Sequence, residues 1–110
     1  MGVTATSKGN KAYRIIVTDR LTVHSIGEFQ QNLPPENHPF REYVIDLRDI
    51  RQMDAAGLSL LLQFRHRTQS TGITPTLMVG VARIRDALNA TQFDCLFSIV
   101  TAWEEKERGV

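Results

Sequence analysis

Met53-Asp54-Ala55-Ala56-Gly57-Leu58-Ser59-Leu60-Leu61-Leu62-Gln63-Phe64 is the stretch on which the reading of this chain turns. Asp54 sits where a helix N-cap belongs. A carboxylate there accepts from the amides of Ala56 or Gly57, and its charge suits the positive end of the helix dipole. Behind it a leucine-rich helical pattern runs on until Gly72, a residue that ends helices well. Ahead of it, Tyr43-Val44-Ile45-Asp46-Leu47 is a compact apolar run, the pattern of a central strand covered on both faces.

A turn of about 100° per residue places Leu58, Leu60, Leu61, Leu62 and Phe64 around a broad buried face. Ala55, Ser59, Gln63, His66 and Ser70 fall on one narrow stripe. A solvated face normally carries Lys and Glu. This stripe is small or uncharged and suits contact with another protein; a plain exposed stripe is the simpler alternative. Gly57 lies inside the first turn, where glycine costs about 1 kcal/mol relative to alanine. A close backbone approach, from the sheet or from a partner, makes it tolerable.

On the N-terminal side, Val3–Thr6 is short and β-prone, Ser7-Lys8-Gly9-Asn10 is a turn signal, and Tyr13–Thr18 alternates as a strand. The pair, Val3–Thr18, reads as an N-terminal hairpin. Ser25 is positioned to cap a helix through Ile26, Phe29, Gln30 and Leu33, which Pro34-Pro35 stops. On the C-terminal side, Thr76–Val81 reads as a strand and Ala82–Thr91 as a helix, with Ile84, Ala87, Leu88 and Thr91 on one face. Leu96–Val100 reads as a last strand, and Thr101 as the cap of a short helix, Ala102–Glu105, within a tail ending at Val110. The order ββαβαβαβα predicts an α/β layered domain with a mixed, mostly parallel sheet of about five strands. The expectation is one domain over residues 1–110.

The 110 residues are 42% hydrophobic and 23% charged, a balance that excludes a disordered chain or a coiled coil. One cysteine, Cys95, allows no internal disulfide and fits a reducing cytoplasm. No unbroken apolar run is longer than Leu60-Leu61-Leu62, far short of the roughly 20 residues of a membrane span. The first residues lack a secretory signal. A net charge of +1 gives no general pull toward nucleic acid or anionic lipid.

Tyr43–Ile50, then Met53-Asp54-Ala55-Ala56-Gly57-Leu58, then Leu60-Leu61-Leu62 resembles the STAS domain of bacterial anti-sigma-factor antagonists. The likeness continues through Thr76–Val81, Ala82–Leu88 and Phe93–Val100, and before Tyr43 holds only in pattern. The resemblance implies a STAS-like fold and a non-catalytic interaction module with no cofactor of its own. Its partner would be a serine-kinase anti-sigma factor of the histidine-kinase-like ATPase type, which brings its own ATP and magnesium. The loop before Ala55 and the stripe would dock on that partner, so the expected partner-binding residues are Asp54, Ala55, Ala56, Gly57, Ser59, Gln63 and His66. Where the family carries a phosphorylated serine or threonine, this chain has Ala55. Either the protein lacks this switch, or the hydroxyl has moved, with Ser59 one turn on as a weak substitute, or alanine has replaced serine at 55. STAS-like domains also serve ABC-type lipid or anion transport complexes, so a cytoplasmic subunit of such an assembly is the alternative.

Other constellations read as structural. His24, His38 and His66 lack metal-ligand spacing. Asp46 is expected to end the central strand and bond nearby amides, and Asp49 to lie in a turn. Cys95, in an apolar run, reads as a packed thiol. Arg83 and Arg85 read as a solvated face. No phosphate-binding or nucleophile-elbow motif is present.

Overall fold

The structure, a computed structural model, describes residues 2–9, 11–36 and 39–101. The expected helix at 102–105 and His38 lie outside the described residues. Five strands and three helices alternate as β1 (Val3–Lys8), β2 (Ala12–Leu21), α1 (Ile26–Gln31), β3 (Glu42–Met53), α2 (Ala55–Thr68), β4 (Thr76–Val79), α3 (Ala82–Ala90) and β5 (Ser98–Thr101). The sheet order is β1-β2-β3-β4-β5. β1 and β2 pair antiparallel, with Val3 opposite Val17, and the other neighbours are parallel. The mixed, mostly parallel five-stranded sheet expected from the element order is the one observed.

Each parallel step moves one place in the same direction across the sheet. Right-handed crossovers then place all three helices on one face. The register agrees. Tyr13 lies beside Tyr43, Ile15 beside Ile45, Ile45 beside Leu77 and Leu47 beside Val79. These side chains join Phe29 of α1, Leu60, Leu61 and Phe64 of α2, and Ile84 and Leu88 of α3 in one core. Aromatic rings chain through it. Tyr13 meets Phe40, Phe40 meets Tyr43, Tyr43 meets Phe64 and Phe64 meets Phe29, with centroids 5.3 to 6.5 Å apart. Tilted and edge-on contacts of this kind suit the ring quadrupole.

Several boundaries differ from the sequence expectation, each for a local reason. Asp46 does not end β3, and Asp49 is not in a turn; the strand runs on to Met53 beside β2. Two bulges bend this ribbon, and Asp19 at its second bulge has φ 72°, a conformation that Asp tolerates better than most residues. Ser25 stands at the N-cap position of α1, but its side chain makes no capping bond there. Thr22 instead caps a 3-10 turn at Val23–Ser25, accepting from the His24 amide, while the Ser25 hydroxyl accepts from the Thr22 amide and donates to the Arg20 carbonyl. Cys95 is exposed. Residues 93–95 form a 3-10 turn; its Phe93 and the following Phe97 take the buried positions and stack 5.8 Å apart, and β5 begins only at Ser98.

The sheet face away from the helices carries the described chain's most enclosed charge. Asp46 is 5% exposed. The Arg48 guanidinium clasps its carboxylate with two bonds of 3.0 and 2.8 Å, and Arg14 donates a third at 2.9 Å. The Arg48 amide donates as well. Burial raises the Asp46 carboxyl, but the bonds from Arg48 and Arg14 outweigh it and hold the pKa at about 2. The folded pKa lies below the ordinary 3.8, so the stabilisation is present above that pH and is lost as pH falls toward about 2. Asp46→Asn should cost about 1–2 kcal/mol at neutral pH, because both half-exposed guanidiniums regain water. It should also flatten the loss of stability between pH 3.8 and about 2. Acid-dependent denaturant melts of both proteins check this; equal slopes in that window would refute it.

Candidate functional site

The start of α2 is held at three points. Asp54 is extended, at φ −122° and ψ −175°, and its Oδ1 accepts from the Gly57 amide at 3.0 Å. Its Oδ2 accepts from the Val23 amide at 3.2 Å. Its own amide donates to the Leu21 carbonyl at 3.4 Å. The cap expected at Asp54 is therefore present, and it also ties the helix to the turn after β2. The Gly57 amide is the largest influence on the Asp54 carboxyl and, with Val23, holds its pKa below the ordinary carboxylate value.

Gly57 explains itself at the same spot. A Cβ there would lie 2.0 Å from the Leu21 carbonyl oxygen. The close approach comes from the sheet. Gly57 is buried, so it offers a partner no surface, contrary to its place among the expected contact residues.

Asp54, Ala55, Ser59, Gln63 and His66 are exposed, and Ala56 is half-buried. The buried side of α2 is Gly57, Leu60, Leu61, Phe64 and Thr68. The stripe read from helical geometry is thus the outward face of α2. Two residues near it were not anticipated. Leu62, expected inside, is 43% exposed, because the buried arc centres on Leu61 and Phe64 and leaves Leu62 at the stripe's margin. Val23 is 55% exposed on the turn whose amide Asp54 holds. These are the exposed large hydrophobic side chains among the described residues. The apolar character of Leu62 hid its position. Val23 carried no signal, since nothing in the local pattern shows that its amide is drawn to Asp54. Gln30 of α1 donates to the Gln63 side chain at 3.1 Å, so α1 borders the same surface.

Basic residues of α2 serve as straps. Arg65 donates to the Leu96 carbonyl at 3.0 Å, and Arg67 donates to the Pro34 carbonyl at 2.9 Å. Arg85 pairs with its neighbour Asp86. Among the described residues, no group of three or more His, Cys, Asp or Glu side chains is arranged to hold a metal ion. Nor is any described helix long and apolar enough to cross a membrane.

The STAS domain family matches residues 6–106, nearly the whole chain. The chain belongs to the STAS domain family. No curated protein sequence matches it. Among solved structures, this STAS chain is similar to TM1081 of Thermotoga maritima, a candidate anti-sigma factor antagonist. The two are 14% identical with a TM-score of 0.77, over 98% of this chain and 93% of that one. It is also similar to the anti-sigma factor antagonist SpoIIAA in its unphosphorylated form, at 11% identity and a TM-score of 0.63, over 79% of this chain and 81% of that one. At such identities the likeness is one of fold.

Two variants separate the close approach from ordinary helix propensity. In an open helix Gly→Ala gains about 1 kcal/mol. At Gly57 the clash with Leu21 reverses the sign, and Gly57→Ala should lose at least about 2 kcal/mol. Gly27→Ala, on the exposed side of α1 with no atom within 4 Å of the new Cβ, should be neutral or stabilising. Asp54→Ala should lower the melting temperature more than Asp54→Asn, which retains an acceptor for one of the two amides. The depressed Asp54 pKa adds stability above the ordinary carboxylate pKa and loses it as pH falls, so the Asp54→Asn penalty should shrink in acid. Thermal melts check all three; a Gly57→Ala protein as stable as Gly27→Ala would refute the packing argument.

Proposed function

We propose that this STAS domain is a non-catalytic partner-switching module that acts as an anti-sigma-factor antagonist. Its partner is a serine-kinase anti-sigma factor of the histidine-kinase-like ATPase type. The observation that carries this reading is the uncharged outward face of α2. Ala55, Ser59, Gln63 and His66 are exposed on a helix fixed at its first turn, with Val23 and Leu62 as exposed apolar residues nearby. Small and uncharged residues lose little hydration on docking, and apolar anchors supply the area that association needs. The likeness to anti-sigma factor antagonists points the same way.

Ala55 gives the module its particular state. It is exposed beside the Asp54 carboxylate, at the position where the family carries its phosphorylated hydroxyl. A phosphoserine there would add roughly two negative charges to the contact surface. Alanine accepts none, so the domain stays competent to bind whatever the kinase activity of its partner.

Binding titrations against a serine-kinase anti-sigma factor from the same cells test this. Ala55→Asp should change fold stability by only a few tenths of a kcal/mol, because a helix N-terminus accepts negative charge. Its affinity should fall by about 100-fold or more, because an unpaired charge would be buried beside Asp54. Ala55→Ser should bind as the parent does and take label from radioactive ATP in the presence of the kinase. Equal affinity for all three proteins would place the interface elsewhere. Recovery of an ABC-type ATPase in place of any kinase would redirect the module to a transport complex.

A further inference from the structure

β4 leaves the sheet early and opens a cleft on the other side of Asp54 from the outward stripe of α2. Val79 is the last β4 residue paired with β3, opposite Leu47. At Gly80 the chain presses against β3 so closely that a Cβ would stand 2.4 Å from the Arg48 carbonyl oxygen. It then turns into α3 while β3 continues to Met53. Between the far end of β3 and the first turns of α3 lies an open cleft of about 500 Å³. Ala55, Ser59, Gln63 and His66 do not line it.

Its lining divides by chemistry. Met53, Ile84 and Ala87 are apolar, whereas Arg51 and Arg83 bring two guanidinium groups. Arg83 reaches from α3 to β3 and donates to the Arg51 carbonyl, which tethers one guanidinium across the cleft and leaves its other N–H groups free of that bond. Among the described residues neither arginine has a carboxylate partner, unlike Arg14 and Arg48, which share Asp46. The one acid in the lining, Asp54, already accepts from the Gly57 and Val23 amides. So the cleft lining carries two guanidinium cations against one carboxylate that already holds two amides, a net positive charge.

From this arrangement we infer that the cleft binds a small organic anion: a carboxylate or phosphate monoester carried on an apolar body about the size of one ring. A planar guanidinium fork matches both oxyanions. The volume lies within the range of small-molecule sites, and apolar walls with a few polar groups are their usual composition. The two head groups share one chemistry here, and a titration tells them apart.

The experiment uses the full chain labelled with nitrogen-15, titrated with phenyl phosphate, benzoate, benzyl alcohol and inorganic phosphate while amide shifts are followed. One or both ring anions should move the amides of Thr22, Arg51–Asp54 and Ile84–Ala87 saturably, and the tighter of the two identifies the head group. Benzyl alcohol should leave these amides in place, and inorganic phosphate should bind at least tenfold more weakly than the tighter ring anion. Arg51→Gln and Arg83→Gln should each weaken binding about tenfold with melting temperature unchanged, and Arg51→Lys should recover part of the loss. Arg83→Gln also frees the Arg51 carbonyl, so Arg51→Gln is the cleaner variant. Four results would each overturn the inference: no saturable shift, equal shifts with benzyl alcohol, inorganic phosphate binding as tightly as the ring anions, or affinity untouched by either glutamine.

Discussion

The Leu21 carbonyl is the point on which the first turn of α2 rests. It closes β2, receives the Asp54 amide, and lies where a side chain at residue 57 would have to be. Only glycine lets a helix start that close to a strand end. Once α2 is seated there, Asp54 reaches the Val23 amide, and the turn after β2 and the first turn of α2 become one unit. Everything exposed on that unit, Val23 and Ala55 included, inherits its position from a backbone contact rather than from side-chain packing.

The rest of the architecture keeps that unit at the surface. The strand order never reverses, so the helices share one side of the sheet, and α2 crosses the middle with Leu60, Leu61 and Phe64 turned inward. Its opposite side is bordered by α1, through Gln30, and by Leu33 and Glu36 of the segment that follows α1. The other sheet face is organised by charge, with Arg14 and Arg48 closing over Asp46. The two faces therefore respond to different conditions. The core weakens with lost apolar area, and the Asp46 cluster weakens with acid.

Much of this was legible in the residues. Apolar density at Tyr43–Leu47 located the central strand, Asp54 the helix start, Gly72 the end of the 3-10 turn that extends α2 past Thr68, and the run of small and polar residues the outward face of α2. The family resemblance rested on the same segment, and the match over residues 6–106 agrees with it. What escaped depended on partners remote in sequence. β3 runs past Asp46 because β2 continues beside it, and no local pattern reports a neighbour's length. Thr22 and Ser25 are both good caps, and the choice between them is set by the Arg20 carbonyl that takes the Ser25 hydroxyl. Cys95 is exposed because two phenylalanines nearby compete better for the core. The burial of Gly57 was half-read: the need for a close approach was visible, and the identity of the approaching group was not.

The strand order also bears on how the molecule comes off the ribosome. Chains emerge N-terminus first and a domain folds as a unit, and every residue of the outward α2 face, with Val23 and Asp54, lies between β2 and the end of α2. A nascent chain that has just extruded Gly72 already holds Leu21, Asp54 and Gly57. It does not yet hold Leu77 and Val79, against which α2 and β3 complete their core. The outward face of α2 is thus written early and made rigid late. Until β4 is made, those side chains ride on a helix whose core is incomplete.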